Sequence, residues 1–420
     1  MNKIMPEDTL PLGKTVAFSF QQLFACFGAT ILVPIIVGLP PYVALFSAGV
    51  GTLIYLVCTR FKVPMFLGSS FAFIAPLASV SAASGWNAVA GGIIVAGLFY
   101  AGIALIISRT GIRWVNLLFP PVVIGSVIMT IGIGLSATAV QQATQINGAY
   151  SLKALLIAMV TLFSIALFSI KGKGFVKAIP IILGIVTGYV FTVIVGLVTR
   201  DPLIDFSTIT VNGLFTIPFG PAAFKPTFET GAIITFIVVS LATLIEHLGD
   251  LFTISGIVGR DFYQDPGPSK TILGDGLATA AAGLFGSVPN VSYGECSATQ
   301  ALSQVHSVRV IAGAAVIAIV LSFIAPVSGL INTIPGPVLG GACLILYGLI
   351  ASSGLRNIVK AGVDYDNSRN LIISSAILTS GIGGCALTFT LPGGQIFSIA
   401  GMAFGTVLGV VLNLVLPKDT

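Results

Sequence analysis

The chain has 420 residues, 55% hydrophobic and 8% charged, with a formal net charge of +5. Soluble domains carry about 25% charged residues, so this composition excludes an ordinary water-soluble enzyme or binding module. The 19 basic residues are spread among short connections instead of forming a patch, which argues against a nucleic-acid-binding face.

Apolar runs of about 20 residues recur from end to end, long enough to cross a hydrocarbon core about 30 Å thick. The strict alternation of barrel strands, about 10 residues each, is absent. The sequence therefore predicts an all-α polytopic membrane protein. Its first 14 residues are polar and mixed in charge, without the apolar stretch of a signal peptide. Fourteen segments follow, near 15–37, 41–59, 69–84, 88–108, 119–140, 152–170, 178–199, 230–256, 272–286, 293–306, 308–332, 337–353, 368–388 and 394–416. The third and tenth are short, and each follows a Gly/Pro-rich stretch. Gly49-Val-Gly51 and Gly91-Gly92 fall inside segments, where small residues let helices approach closely. Cys26, Cys58, Cys296, Cys343 and Cys385 lie in or beside apolar runs with no C-x-x-C spacing, and read as small buried hydrophobes.

Charge tests this division. Even-numbered connections hold 13 basic residues, from Arg60 and Lys62 to Arg356, Lys360 and Arg369; odd-numbered ones hold only Lys153, Arg200 and Lys225. The positive-inside rule then places the even connections and both termini in the cytoplasm of an inner or plasma membrane. The halves echo each other as well. Phe119-Pro-Pro-Val-Val-Ile-Gly125 resembles Ile334-Pro-Gly-Pro-Val-Leu-Gly340, 215 residues later, and Ser70-Phe71 parallels Ser292-Tyr293 at an offset of 222. A repeat of seven segments must be inverted, because seven is odd. Inverted repeats with paired interrupted helices are a transporter architecture, with the site where the broken helices meet.

Acids inside apolar segments are the chemical signal, since each costs roughly 2.5–3.5 kcal/mol at mid-membrane. Four of the 14 acids lie there: Glu246, Asp250, Asp275 and Glu295. Glu246 and Asp250 stand at i, i+4 and share a helix face, where they can hold a proton or accept from the N–H groups of a ligand. Glu295 follows Pro289 and Gly294, at the start of the tenth segment, where an extended stretch turns into a half-helix with free N–H groups. Phe71 and Tyr293 occupy equivalent places in the two halves, so a flat heteroaromatic ligand can stack on Phe71. His247 points about 100° away from Glu246 and reads as packing. Asp275, beside Gly274 and Gly276, reads equally as structural or functional. Metal-ligand spacings, nucleophile elbows, Walker loops and dinucleotide fingerprints are absent. No metal, cofactor or enzyme activity is expected. An anion exchanger of the sulfate-permease fold needs a mid-membrane cation, and every basic residue maps outside the segments or to their ends.

Four further stretches carry a resemblance. Gln21-Gln-Leu-Phe-Ala-Cys-Phe-Gly-Ala-Thr-Ile-Leu-Val-Pro34, Leu67-Gly-Ser-Ser-Phe-Ala-Phe-Ile-Ala-Pro76, Glu246-His-Leu-Gly-Asp250 and Pro289-Asn-Val-Ser-Tyr-Gly-Glu295 resemble the nucleobase–ascorbate transporter (nucleobase:cation symporter-2) family, especially its bacterial uracil permeases. Pro335-Gly-Pro-Val-Leu-Gly-Gly341 and Leu346-Tyr-Gly-Leu-Ile-Ala-Ser-Ser-Gly354 extend the likeness over nearly the whole chain. The resemblance implies a seven-plus-seven inverted repeat with short strands before half-helices 3 and 10. It implies a core domain near 15–108 and 230–332, a gate domain near 112–199 and 335–416, and a homodimer in the bilayer. It further implies uracil import by proton symport, with H+ as the coupling ion in preference to Na+. By matching position Phe71 stacks on the base, Glu246 and Glu295 bond its polar edge, Gly294 and Tyr293 offer backbone, and Ala29 packs nearby. Proton coupling falls to Asp250, Glu246 and Glu295. Two positions pull apart: Glu295 matches uracil carriers, whereas Asp250 stands where uracil permeases often carry His and purine carriers Asp, so xanthine or another purine is the alternative substrate. Cys296, Ala298, Ser303 and Gln304 also depart from the family pattern, and Gln22 stands where uracil permeases can carry His.

Overall fold

In lipid a backbone must satisfy its own hydrogen bonds, and runs of Leu, Ile, Val, Ala and Gly do so as helices. The computed structural model describes residues 3–204, 214–390 and 396–417, without the side chains at positions 29, 178, 295, 390 and 396–398. In chain order these are α1 (Leu12–Ile36), α2 (Pro41–Cys58), β1 (Leu67–Ser69), a 3-10 turn at Phe71–Phe73, and α3 (Ile74–Thr110). Next come α4 (Arg113–Leu118), α5 (Pro121–Gly134), α6 (Ser136–Thr144), the small hairpin β2 (Gln145–Ile146) and β3 (Ala149–Tyr150), α7 (Leu152–Lys171), α8 (Phe175–Ala178) and α9 (Pro180–Thr199). The remainder comprises α10 (Thr230–Val258), α11 (Pro268–Leu284), β4 (Asn290–Ser292), α12 (Gly294–Ser303), α13 (Val308–Ser322), α14 (Ala325–Asn332), α15 (Gly336–Lys360), α16 (Ser368–Ile382), β5 (Ala386–Thr390), β6 (Ile396–Ala400) and α17 (Met402–Val415). Prolines sit in the first turns of α2, α5, α9, α11, α14 and α15, where no N–H partner is lost.

Among the described residues, eight helical stretches are long and apolar enough to cross a membrane, and α13 and α17 are shorter apolar helices. The predicted third and fourth segments form one such stretch, Phe71–Thr110, kinked at Gly85 with φ 80°. The fifth breaks after Gly134 and the eleventh after Ser322. Three boundaries need correction. The twelfth segment, expected to end at 353, continues as α15 to Lys360, since 355–361 hold neither Gly nor Pro before Gly362. The thirteenth and fourteenth, expected to be helical over 368–388 and 394–416, have 386–390 and 396–400 in an antiparallel pair from Ala386↔Ala400 to Thr390↔Ile396. Thr388, Phe389, Ile396 and Phe397 are β-branched or aromatic and favour the extended chain.

Two packed sets of helices emerge. α1, α2, α3, α10, α11 and α13 pack on one another; α5, α6, α7, α9, α15, α16 and α17 form the second set. α10 touches α5 and α17, and α1 touches α9 and α15, so these helices carry the contact between the sets. The expected close approaches are present: a Cβ on Gly49 would lie 2.6 Å from Ala315 O, and one on Gly92 2.5 Å from the Phe236 ring. The cysteine expectation is corrected in part. Cys26 of α1, Cys296 of α12 and Cys343 are buried as expected, the first two facing each other with Cα atoms 5.8 Å apart, whereas Cys385 is exposed and Cys58 half-buried.

Candidate functional site

β1 and β4 are three residues each and pair antiparallel, Leu67 with Ser292, Gly68 with Val291 and Ser69 with Asn290. Strand atoms at this depth need partners, and side chains of neighbouring helices supply them. Thr52 Oγ1 accepts from Leu67 N at 2.9 Å, and Thr279 Oγ1 donates to Asn290 O at 2.7 Å. Asn290 Nδ2 donates to Ser47 O at 3.0 Å, and Ser69 Oγ to Thr30 O at 3.1 Å. Each strand then runs into a helix, β1 through the Phe71–Phe73 turn into α3 and β4 into α12. The unpaired N–H groups of two helix starts therefore converge.

Where they converge lies a cavity of about 190 Å3. A cavity of roughly 150 Å3 accommodates benzene, so this one suits a single six-membered ring. Glu246 and Asp250 line it from α10, one turn apart as their spacing predicts. Asp250 is 8% exposed, and a Cβ on Gly294 would lie 3.1 Å from its Oδ1, so glycine keeps the start of α12 open to the carboxylate. Phe71, Tyr293 and Gly294 also form its wall. Phe71 is buried and meets Tyr347 of α15 edge-to-face at 5.3 Å. Tyr293 packs its ring on Gly68 and donates its hydroxyl to Ser69 O at 2.8 Å, which ties the two strands together. Ser70 Oγ is buried in the same wall with no hydrogen-bond partner among the described residues, a donor open to a ligand. Ala29 is on α1 and Glu295 in the first turn of α12; both side chains lie outside the described residues.

His247 and Asp275 make a second polar cluster behind this wall. Both are 1% exposed, with His247 Nδ1 2.9 Å from Asp275 Oδ2 and 3.1 Å from Ser292 Oγ. Ser292 Oγ in turn donates to Asp250 Oδ2 at 3.4 Å. Gln22 Nε2 donates to Cys296 O at 3.1 Å. Among the described residues no group of three His, Cys, Asp or Glu side chains could hold a metal ion.

The sequence reading missed Ser70, Tyr347, Ser353 and Arg356, of which all but Tyr347 line the cavity. Leu349, Ser353 and Arg356 follow i, i+4, i+7 along one face of α15. Ending the helix at 353 hid that face and placed Arg356 in a connection, whereas it stands about one turn before the end of α15. A larger space of about 990 Å3 adjoins, lined by Gly249, Phe252, Arg260, Asn357 and Lys360 among others. Gly249 and Asn357 meet in its wall: a Cβ on Gly249 would lie 3.0 Å from Asn357 Nδ2.

Comparison with known proteins gives consistent results. A model for xanthine and uracil permeases, described as Permease family, matches residues 13–412. The chain is 44% identical over 417 residues to a uracil permease of Bacillus caldolyticus, covering 98% of this chain and 94% of that protein. It is 36% identical over 408 residues to the uracil permease of Escherichia coli K12, covering 96% and 92%. Among solved structures, the transmembrane domain of a cyanobacterial bicarbonate transporter superposes with TM-score 0.64 at 15% identity, over 98% of this chain and 100% of that one. A murine Solute Carrier 26 anion transporter gives 0.65 at 10% identity, over 97% and 68%. The fold is thus that of a membrane transporter.

Proposed function

Because the chain belongs to the Permease family of xanthine and uracil carriers, we propose that it is a uracil permease that imports its base by proton symport. The single observation that carries the site assignment is the ring-sized cavity holding Glu246, Asp250, Phe71 and the first residues of two helices. Uracil presents alternating N–H donors and C=O acceptors around a flat ring. Glu246 and Glu295 accept from the N–H groups, backbone N–H groups near Phe71 and Gly294 donate to the carbonyls, and Phe71 covers one face. Ala29 closes the site from α1. Asp250 shares the proton with Glu246 and Glu295.

The architecture of this reading is fourteen segments in two inverted repeats of seven. The set containing α10 is the core, and the set containing α15 is the gate. Rocking of core against gate gives alternating access. Both termini and the large space beside Arg260 and Lys360 face the cytoplasm, which the bias of basic connections supports. Two copies form a dimer in the membrane. The anion-exchange reading is set aside, because likeness at 10–15% identity carries architecture alone. An entering anion would also meet two carboxylates against one guanidinium.

Glu246→Gln is expected to abolish proton-driven accumulation of labelled uracil while the protein still inserts in the membrane. Undiminished accumulation driven by a pH gradient would sink the assignment. Competition by unlabelled uracil, thymine, xanthine, guanine and urate tests the substrate; displacement by xanthine at lower concentration than uracil would overturn uracil in favour of a purine.

A further inference from the structure

Arg356 is the one basic side chain lining the carboxylate cavity among the described residues. It comes from α15, whereas Glu246 and Asp250 come from α10, and the two helices belong to different packed sets. Its hydrogen bond to Ser353 Oγ is long, at 3.5 Å. A guanidinium stays protonated at any physiological pH. Its side chain is exposed to solvent on one side and faces the carboxylate cavity on the other, and a positive charge facing a carboxylate favours the ionised form.

We propose that Arg356 is the proton-release residue of the carrier: from the gate, it stabilises ionised Asp250 and Glu246 in the arrangement seen here and so expels the coupling proton toward the adjoining large space. This rests on the proton-symport reading above. The chemistry is a simple transfer. The carboxyl O–H bond breaks to a water of the adjoining space, giving carboxylate and hydronium, with no change of oxidation state. Because acid and guanidinium sit on separate bodies, their proximity depends on the state of the carrier. Displacing the core separates them, and the carboxylate regains its proton on the other side.

Other ionisable groups face the pair from each packed element. On α10 and around the start of α12 they are Glu246, Asp250, Tyr293 and the position of Glu295; on α15 they are Tyr347, against Phe71, and Lys360, one turn beyond Arg356. Arg260, Asp261 and Tyr263 border the large space. His247 and Asp275 lie behind Ser292. On α5 the cavity wall is the apolar Ile128. Among the described residues Arg356 alone brings fixed positive charge to the wall of the small cavity.

The test uses the full-length protein in vesicles of phosphatidylethanolamine and phosphatidylglycerol. Accumulation of labelled uracil under an inward proton gradient requires proton release. Exchange of labelled for unlabelled uracil at equal pH does not. Arg356→Gln is expected to lower the ratio of accumulation to exchange at least tenfold and to regain accumulation when the receiving side is made more alkaline. Arg356→Lys should restore most accumulation at the original pH. Equal loss of both activities would make Arg356 a substrate-binding or structural residue, and unchanged accumulation would likewise overturn the proposal, as would loss without alkaline rescue. A uracil-induced thermal shift certifies each variant as folded, and Arg356→Met repeats the comparison if Gln disturbs folding. Wild-type accumulation insensitive to a protonophore would refute symport itself, and proton release with it. Wild-type sensitivity with an unaffected Arg356→Gln would refute proton release alone.

Discussion

At the scale of single residues, burial separates polar contacts that hold the protein together from those that do not. Lys62 and Asp265 touch at 2.5 Å, yet their side chains are 41% and 68% exposed, and such pairs contribute about 0–1 kcal/mol. His247 and Asp275 are both 1% exposed, and removing one partner of a buried hydrogen-bonded contact leaves the other unsatisfied, at about 1–3 kcal/mol or more. Asp275→Ala is therefore expected to lower the thermal midpoint by several degrees and Asp265→Ala hardly at all; equal effects in a melting scan would refute this ranking. His306 makes a pH prediction. It is fully buried in the connection between α12 and α13, its ring nitrogens lack partners among the described residues, and burial, with Lys3 adding to it, pushes its imidazole from 6.5 down to about 4. The folded state keeps the ring neutral while the unfolded chain takes up a proton below pH 6.5. Stability from this group is complete above about 6.5 and declines as pH falls toward about 4. Melting midpoints across that range should slope less steeply in His306→Leu than in the parent.

At the scale of elements, the long apolar helices and the i, i+4 acid pair were legible because hydropathy and helical period are local properties. The ends of α15, α16 and α17 were not. An apolar stretch such as Ala386–Thr390 reads alike as helix or strand, and here the extended form wins. The same ambiguity hid Arg356, whose role depends on whether a helix ends at 353 or at 360. The His247–Asp275 contact was illegible for another reason: it joins α10 to α11 through tertiary packing that no spacing encodes. Crossings of α15 show what the small residues do. A Cβ on Gly354 would lie 2.5 Å from Gly125 O and 2.7 Å from Met129 N, whereas one on Gly348 would meet nothing within 4 Å. Gly354→Val should force α5 from α15 and sharply reduce folded carrier in a size-exclusion assay, and Gly348→Val should leave it intact. Loss of both, or of neither, would refute close packing as the cause.

At the scale of the molecule, the site belongs to neither set of helices alone. α10, β1 and β4 bring the carboxylates and strand ends, and α15 brings Ser353 and Arg356. The Gly249–Asn357 contact is one place where the two sets touch, in the wall of the larger space. Locking it is a direct test of relative motion. A bis-thiol cross-link between Gly249→Cys and Asn357→Cys should stop uracil uptake reversibly while preserving uracil-dependent thermal stabilisation. Continued transport by the cross-linked protein would show that the two sets need not move apart there.

The pairing of Leu67 with Ser292 has a consequence in time. The two residues are 225 positions apart (292 minus 67), and synthesis proceeds at roughly 5–20 residues per second. For about 10–45 s on the ribosome, the first strand waits in the nascent chain without its partner. Its N–H and C=O groups must meanwhile be held by translocon water, by Thr52, or by a provisional neighbour. The ligand pocket is thus among the last parts of this protein to exist, and slowing translation shortly before residue 290 should lengthen the interval in which a half-made carrier is open to degradation.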